Sequence, residues 1–120
     1  MLARIAMFSA ALAVAGVAHA ASFNCAKATT PDEIAICDSR ALSEADVKMA
    51  TLYGVRMGLP MLMGNRGAAQ DEQRAFLETR GACGNEIVCL NAAYDQRIGE
   101  LQQAIETALQ DYCVKLGICG

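Results

Sequence analysis

The side chains in this 120-residue chain with the clearest chemical potential are six cysteines: Cys25, Cys37, Cys83, Cys89, Cys113 and Cys119. A cysteine can attack an electrophile, hold a metal or close a disulfide. Attack normally needs a neighbouring base, and the single histidine, His19, lies in an N-terminal segment that reads as a leader. Zinc sites use closely spaced Cys or His pairs, and these spacings do not supply them. The even count and the arrangement in three local couples predict disulfides instead. Six cysteines admit many connectivities, and nearest-neighbour pairing, Cys25 with Cys37, Cys83 with Cys89 and Cys113 with Cys119, is the expectation.

The remaining reactive groups are carboxylates, lysines, tyrosines and hydroxyls. Two carboxylates can run acid/base hydrolysis of a glycoside, and Asp71, Glu72, Asp95 and Glu100 are candidates by residue type. Acids on the polar faces of helices are ordinarily solvated, so no catalytic residue is assigned and the chain is not expected to be an enzyme. No glycine-rich phosphate loop or dinucleotide fingerprint occurs, and no cofactor is implied. Met49, Met57, Met61 and Met63 resemble a soft copper(I) donor set, but they straddle a helix and a loop without His or free Cys. They read as packing, and no metal is expected.

Residues 1–20 have the layout of a cleaved signal peptide. Met1–Arg4 is a short basic start, Ile5–Val17 an apolar run, and Ala18-His19-Ala20 places small residues where a signal peptidase reads them. The run is shorter than the roughly 20 residues of a membrane span, and no cysteine stands at the cleavage point to take a lipid. A periplasmic or secreted domain of residues 21–120, without a membrane anchor, is expected. The whole chain has 10 Lys+Arg and 13 Asp+Glu, a formal charge of −3, and loss of Arg4 makes it −4. Nucleic-acid binding needs clustered basic residues, which are absent. An acidic surface favours encounter with a basic partner.

The elements that position these residues are helical. Thr30-Pro31-Asp32-Glu33 combines an N-cap, a first-turn proline and a capping-box acid, predicting a short helix to about Asp38. Ser43 reads as the cap of a second helix, about 43–57, with Ala45, Met49, Leu52, Tyr53 and Arg56 on one face. Gly58–Gly67, with three glycines and a proline around an apolar centre, reads as a loop. Leu59, Met61, Leu62, Met63, Asn65 and Arg66 are its candidate partner-binding residues; the alternative is that Leu59 and Met61 fold back over the bundle. Helix is expected again from Ala68, with Ala69, Phe76, Leu77 and Arg80 inward, ending at Gly81. After a turn at Cys83–Asn85, and with Asn85 as the cap, the apolar residues from Ile87 to Leu116 hold steps of three and four, predicting a helix of about 86–115. Such a helix is about 45 Å long, so either Gly99 marks a bend or the later half projects from the bundle, with Cys113 and Cys119 stapling its end. Arg74, Arg80 and Arg97 are expected to pair with Glu72, Glu78 or Asp95. The fold class is all-α: a disulfide-stapled hairpin or irregular bundle of about four helices.

Phe23-x-Cys25-x-Lys27-Ala28-x-Thr30, Glu33, Ile36-Cys37, Leu42, Asp46, Met49 and Tyr53 resemble the opening of the LprI-type lysozyme inhibitor family. Gln73-Arg74-x-Phe76-Leu77-x-x-Arg80-x-x-Cys83, Cys89-Leu90, Tyr94, Arg97-Ile98 and Leu101 resemble its second block. The likeness spans residues 22–101. Phe76 stands where that pattern usually has Trp, and residues 102–120, with Cys113 and Cys119, form a tail beyond it. The resemblance implies an exported helical protein that binds and inhibits a lysozyme, with a basic lysozyme as the expected protein partner. The alternative is a structural or interaction module of the cell envelope.

Overall fold

The structure is a computed structural model that describes residues 21–61 and 63–119. The leader expected at residues 1–20, and Leu62, lie outside the described residues. Among those residues there are four α-helices and no strands: α1 (Pro31–Asp38), α2 (Arg40–Gly58), α3 (Met63–Ala82) and α4 (Ile87–Leu116). A 3-10 turn at Cys25–Lys27 precedes them. The all-α, disulfide-stapled class read from the sequence is the class observed.

Helix α1 starts as its residues dictate. Pro31 occupies the first turn, where a missing N–H costs nothing, and the Glu33 carboxylate accepts from the N–H groups of Thr29 and Thr30 at 3.1 and 3.4 Å. Helix α2 follows after one residue. Ser39, extended at φ −110°, caps it by accepting from the Leu42 N–H at 3.3 Å. This corrects the expected cap at Ser43. With the helix already under way, Ser43 falls on the inner face, buried, and its hydroxyl donates to the Ile36 carbonyl at 2.7 Å.

The expected ten-residue loop is also corrected. Helix α2 runs through Gly58 and α3 begins at Met63, so only residues 59–62 connect them. Neither Gly64 nor Gly67 has a positive φ, and a Cβ on either would meet nothing within 4 Å. A helix-interior glycine costs about 1 kcal/mol relative to alanine, which weakens a helix without breaking it, so the glycines do not stop α3. The opposite end of α3 does depend on a glycine. Gly84, at φ +56°, makes the turn into α4, and it is this residue and not Gly81 that ends α3. Glu86, not Asn85, caps α4, which continues through Gly99 without interruption to Gly117 in the left-handed region at φ +66°.

The core gathers Ile36 of α1, Leu42 and Met49 of α2, Phe76 of α3, and Leu90, Tyr94, Ile98 and Leu101 of α4. Tyr94 and Phe76 meet edge to face with centroids 5.4 Å apart. Leu77, expected inward, is exposed: Phe76 and Arg80, one turn apart, take the inner line of α3 and turn Leu77 to its flank. The core stops at Leu101. Beyond it α4 continues for four turns with no fully buried residue.

All three cysteine couples are closed as nearest neighbours. Cys25–Cys37 ties the N-terminal segment to α1, Cys83–Cys89 joins the end of α3 to the first turn of α4, and Cys113–Cys119 staples the end of α4. Closed disulfides in a small domain belong in an oxidising compartment. No helix among the described residues is long and apolar enough to cross a membrane.

Candidate interaction cleft

A cleft of about 1230 Å³ opens where α4 outruns the core. Its cause is compositional. Ala68 on α3 and Ala104 and Ala108 on α4 put only methyl groups into the gap and leave the space between the helices unfilled. One wall is the connection Leu59–Met61 with Asn65 of α3; the other is the outer part of α4, with Tyr112 and Leu116. The apolar stripe of α4 therefore has two fates. Leu90, Tyr94, Ile98 and Leu101 are buried, whereas Leu109 is 53% exposed, Tyr112 42% and Leu116 62%.

Charged groups line the inner end of the cleft. Glu72 of α3 is ion-paired with Arg56 of α2, and Arg97 of α4 stands 3.7 Å from Glu72 and 3.3 Å from Glu100. Arg97 is itself buried, and its guanidinium donates to the Gln73 amide oxygen at 3.1 and 3.2 Å. The hydrogen bond from Arg56 holds the Glu72 carboxyl below the usual carboxylate range, with Arg97 adding to it. A carboxyl held ionised does not donate a proton near neutral pH, so Glu72 is unsuited to the acid role. Asp71 pairs with Arg74 on the surface, and Asp95 lies exposed on a different face. The four candidate acids are thus not assembled into one pair.

Of the six residues proposed to contact a partner, Leu59, Met61 and Asn65 line the cleft. Asn65 and Arg66 belong to α3 and not to a loop, and Met63 opens that helix. Leu59 and Met61 are half-buried, so the connection is a wall and not a protruding tip. The outer turns of α4 take the second of the two courses open to a helix of this length: α4 is continuous through Gly99, and its later part projects beyond the core. Their signal was an apolar stripe longer than the rest of the chain could cover.

A second polar constellation joins all four helices. Asp46 of α2, fully buried, accepts from the Ser22 N–H at 2.7 Å, the Ser22 hydroxyl at 2.5 Å and the Tyr94 hydroxyl at 2.8 Å. Arg80 of α3 donates to Asp32 of α1 at 2.8 Å and lies 3.8 Å from Asp46. The Phe23 ring packs beneath its guanidinium, 5.6 Å away. Burial opposes ionisation of Asp32, but Thr30 and Arg80 outweigh it and keep the carboxyl below its ordinary value. Burial, and then the adjacent Asp46, push the Tyr94 hydroxyl well above the usual tyrosine range. The hydrogen-bonding groups here all find partners inside the packing, which is the arrangement of a structural clamp. Arg97 approaches Glu72 as expected, whereas Arg74 takes Asp71 and Arg80 takes Asp32 in place of the expected acids. Charged residues at apolar-stripe positions, Asp46 between Leu42 and Met49 and Arg80 one turn after Phe76, were the sequence signal for this cluster.

Compared with protein-family models, curated proteins and solved structures, the chain matches none of them.

Proposed function

We propose that the protein is an exported, non-enzymatic inhibitor that binds a basic lysozyme in the periplasm or outside the cell. The observation that carries a protein-binding role is the outer part of α4. It holds Leu109, Tyr112 and Leu116 clear of the core beside an open cleft. Aromatic and aliphatic anchors of this kind, fixed before docking, contribute affinity with little ordering entropy to lose. Cys113–Cys119 and the Gly117 cap hold the end of that wall in place. Exposed Glu106 and Asp111 beside the anchors, and the charge of −4 on residues 21–120, favour encounter with a cationic partner. The lysozyme assignment comes from the residue pattern around Cys25–Cys37 and Cys83–Cys89, which resembles the LprI-type family.

The test is titration of oxidised protein starting at Ala21 into lysozyme acting on cell-wall substrate, at low and physiological salt. Dose-dependent inhibition that weakens with salt supports the proposal. Unchanged lysis at large molar excess over several lysozyme types refutes it.

A second reading is favoured by a specific feature. Ile34, Ile87 and Val88 form another exposed apolar patch, at the opposite end of α4 from Leu116, and Val88 is 83% exposed. A shallow hollow of about 500 Å³ lies beside it, between α1 and the start of α4. Two apolar patches separated by the length of α4, about 45 Å, suit a module that bridges two envelope proteins. Recovery of two distinct partners, each lost on a different patch substitution, would support this reading over lysozyme inhibition.

A further inference from the structure

The clamp around Asp46 is one cation short. Asp32 and Asp46 carry two negative charges, Arg80 carries one positive charge, and among the described residues no other cation lies within ion-pair distance of either acid. All three are buried, so the imbalance is not relieved by bulk water. The segment that reaches the cluster is Ala21–Phe23. Ser22 is bonded to Asp46 through both its N–H and its hydroxyl, Phe23 packs beneath Arg80, and Ala21 itself is buried, 7% exposed. Peptide geometry places the nitrogen of Ala21 within about 3–4 Å of that of Ser22. It therefore lies within about 7 Å of the Asp46 carboxylate, a range over which opposite charges couple strongly when poorly solvated.

We propose that the α-ammonium created at Ala21 by removal of the leader is the missing cation of the Asp32–Asp46–Arg80–Tyr94 cluster, so that processing completes the fold. Hydrolysis of the Ala20–Ala21 peptide bond consumes one water. Its hydroxyl goes to the Ala20 carbonyl carbon, and the Ala21 nitrogen becomes an amine that is protonated at neutral pH. Before the cut that nitrogen is an uncharged amide, and the cluster keeps its net negative charge. After the cut the cluster is neutral. A chain that retains its leader is thereby less stable than the processed domain, which ties the final stability gain to export. The inference rests on cleavage after Ala20, and it is independent of what the outer cleft binds.

The domain from Ala21 onward contains the whole core and all three disulfides, so it can be studied directly. Three forms are compared by thermal melting near neutral pH: a free amine at Ala21, the same protein Nα-acetylated enzymatically, and a form extended by the residues that precede Ala21. Acetylation and extension are each expected to lower Tm by about 5 °C or more, and both effects are expected to vanish in Asp46→Asn. Equal melting of the three forms, or an acetylation effect of the same size in Asp46→Asn, overturns the proposal. Should Asp46→Asn fail to fold, the α-amino group of the unaltered domain is titrated instead. A pKa at least one unit above the ordinary value of about 8 supports the coupling, and an ordinary value overturns it. The N-terminus of exported protein, read by mass spectrometry, separately tests the cleavage: a start at Ala21 supports the maturation step, and any other start refutes it without affecting the charge test.

Discussion

Replacing Tyr94 with Phe removes one oxygen from the centre of the molecule and leaves the packing in place. The ring is fully buried against Phe76, and its hydroxyl donates to Asp46 Oδ1 at 2.8 Å. After the substitution Ser22 still serves Oδ2, but the nearest Arg80 nitrogen is 3.8 Å from Oδ1, beyond hydrogen-bond distance. A hydrogen bond to a charged group contributes about 1.5–3 kcal/mol. A buried acceptor left without a donor places the loss in the upper part of that range, about 2–3 kcal/mol. For a domain of this size that lowers Tm by about 10–20 °C. Urea unfolding followed by far-ultraviolet circular dichroism, with the disulfides intact, should show a lower midpoint at unchanged slope. The pH dependence carries a definite sign. Tyrosine in the unfolded chain ionises at about pH 10, whereas burial and the Asp46 charge raise Tyr94 well above that in the fold. The stability Tyr94 contributes is therefore complete below about pH 10 and falls as pH rises towards the folded-state value. Phenylalanine has no such titration, so the gap between the two proteins should narrow above about pH 10. A loss under about 0.5 kcal/mol, or a gap that widens with alkali, would refute the assignment of Tyr94 to the clamp.

Asp32→Asn should cost about 1–3 kcal/mol at neutral pH by weakening the bond to Arg80. Because the folded carboxyl is depressed, that stability exists above about pH 4 and is lost as pH falls through the folded value; acid titration of wild type and variant should therefore converge. Removing Cys25–Cys37 by serine substitution should lower stability by about 2–3 kcal/mol, because that bridge fastens the segment holding Ser22 and Phe23. Removing Cys113–Cys119 should leave the global midpoint nearly unchanged, since among the described residues none beyond Leu101 is buried, and should accelerate amide hydrogen exchange in the last turns of α4. Ala108→Arg, placed where α4 faces the cleft, should leave Tm within about 3 °C of wild type and weaken lysozyme inhibition at least about tenfold; equal inhibition would move the binding surface away from the cleft.

Local physics made much of this protein legible in its sequence. The all-α class, the four helices and the nearest-neighbour disulfides follow from periodicity, from caps such as Thr30-Pro31 and from the short intervals between cysteines. Each of these depends on groups a few residues apart, so a linear reading carries the information. Local preference and structure part at two places. The one-residue junction after Asp38 lets Ser39 cap α2 and turns the cap-like Ser43 inward, and Gly64 and Gly67, loop residues by type, are accommodated within α3 with nothing packed against them. The clamp needed the tertiary structure most. Asp32, Asp46, Arg80 and Tyr94 come from four different helices, up to 62 positions apart in sequence, and only packing brings them together. The cleft is decided the same way. Sequence showed that the apolar stripe of α4 continues to Leu116, but only the lengths of α2 and α3, with Ala68 of α3 set across from Ala104 and Ala108, leave its outer half uncovered.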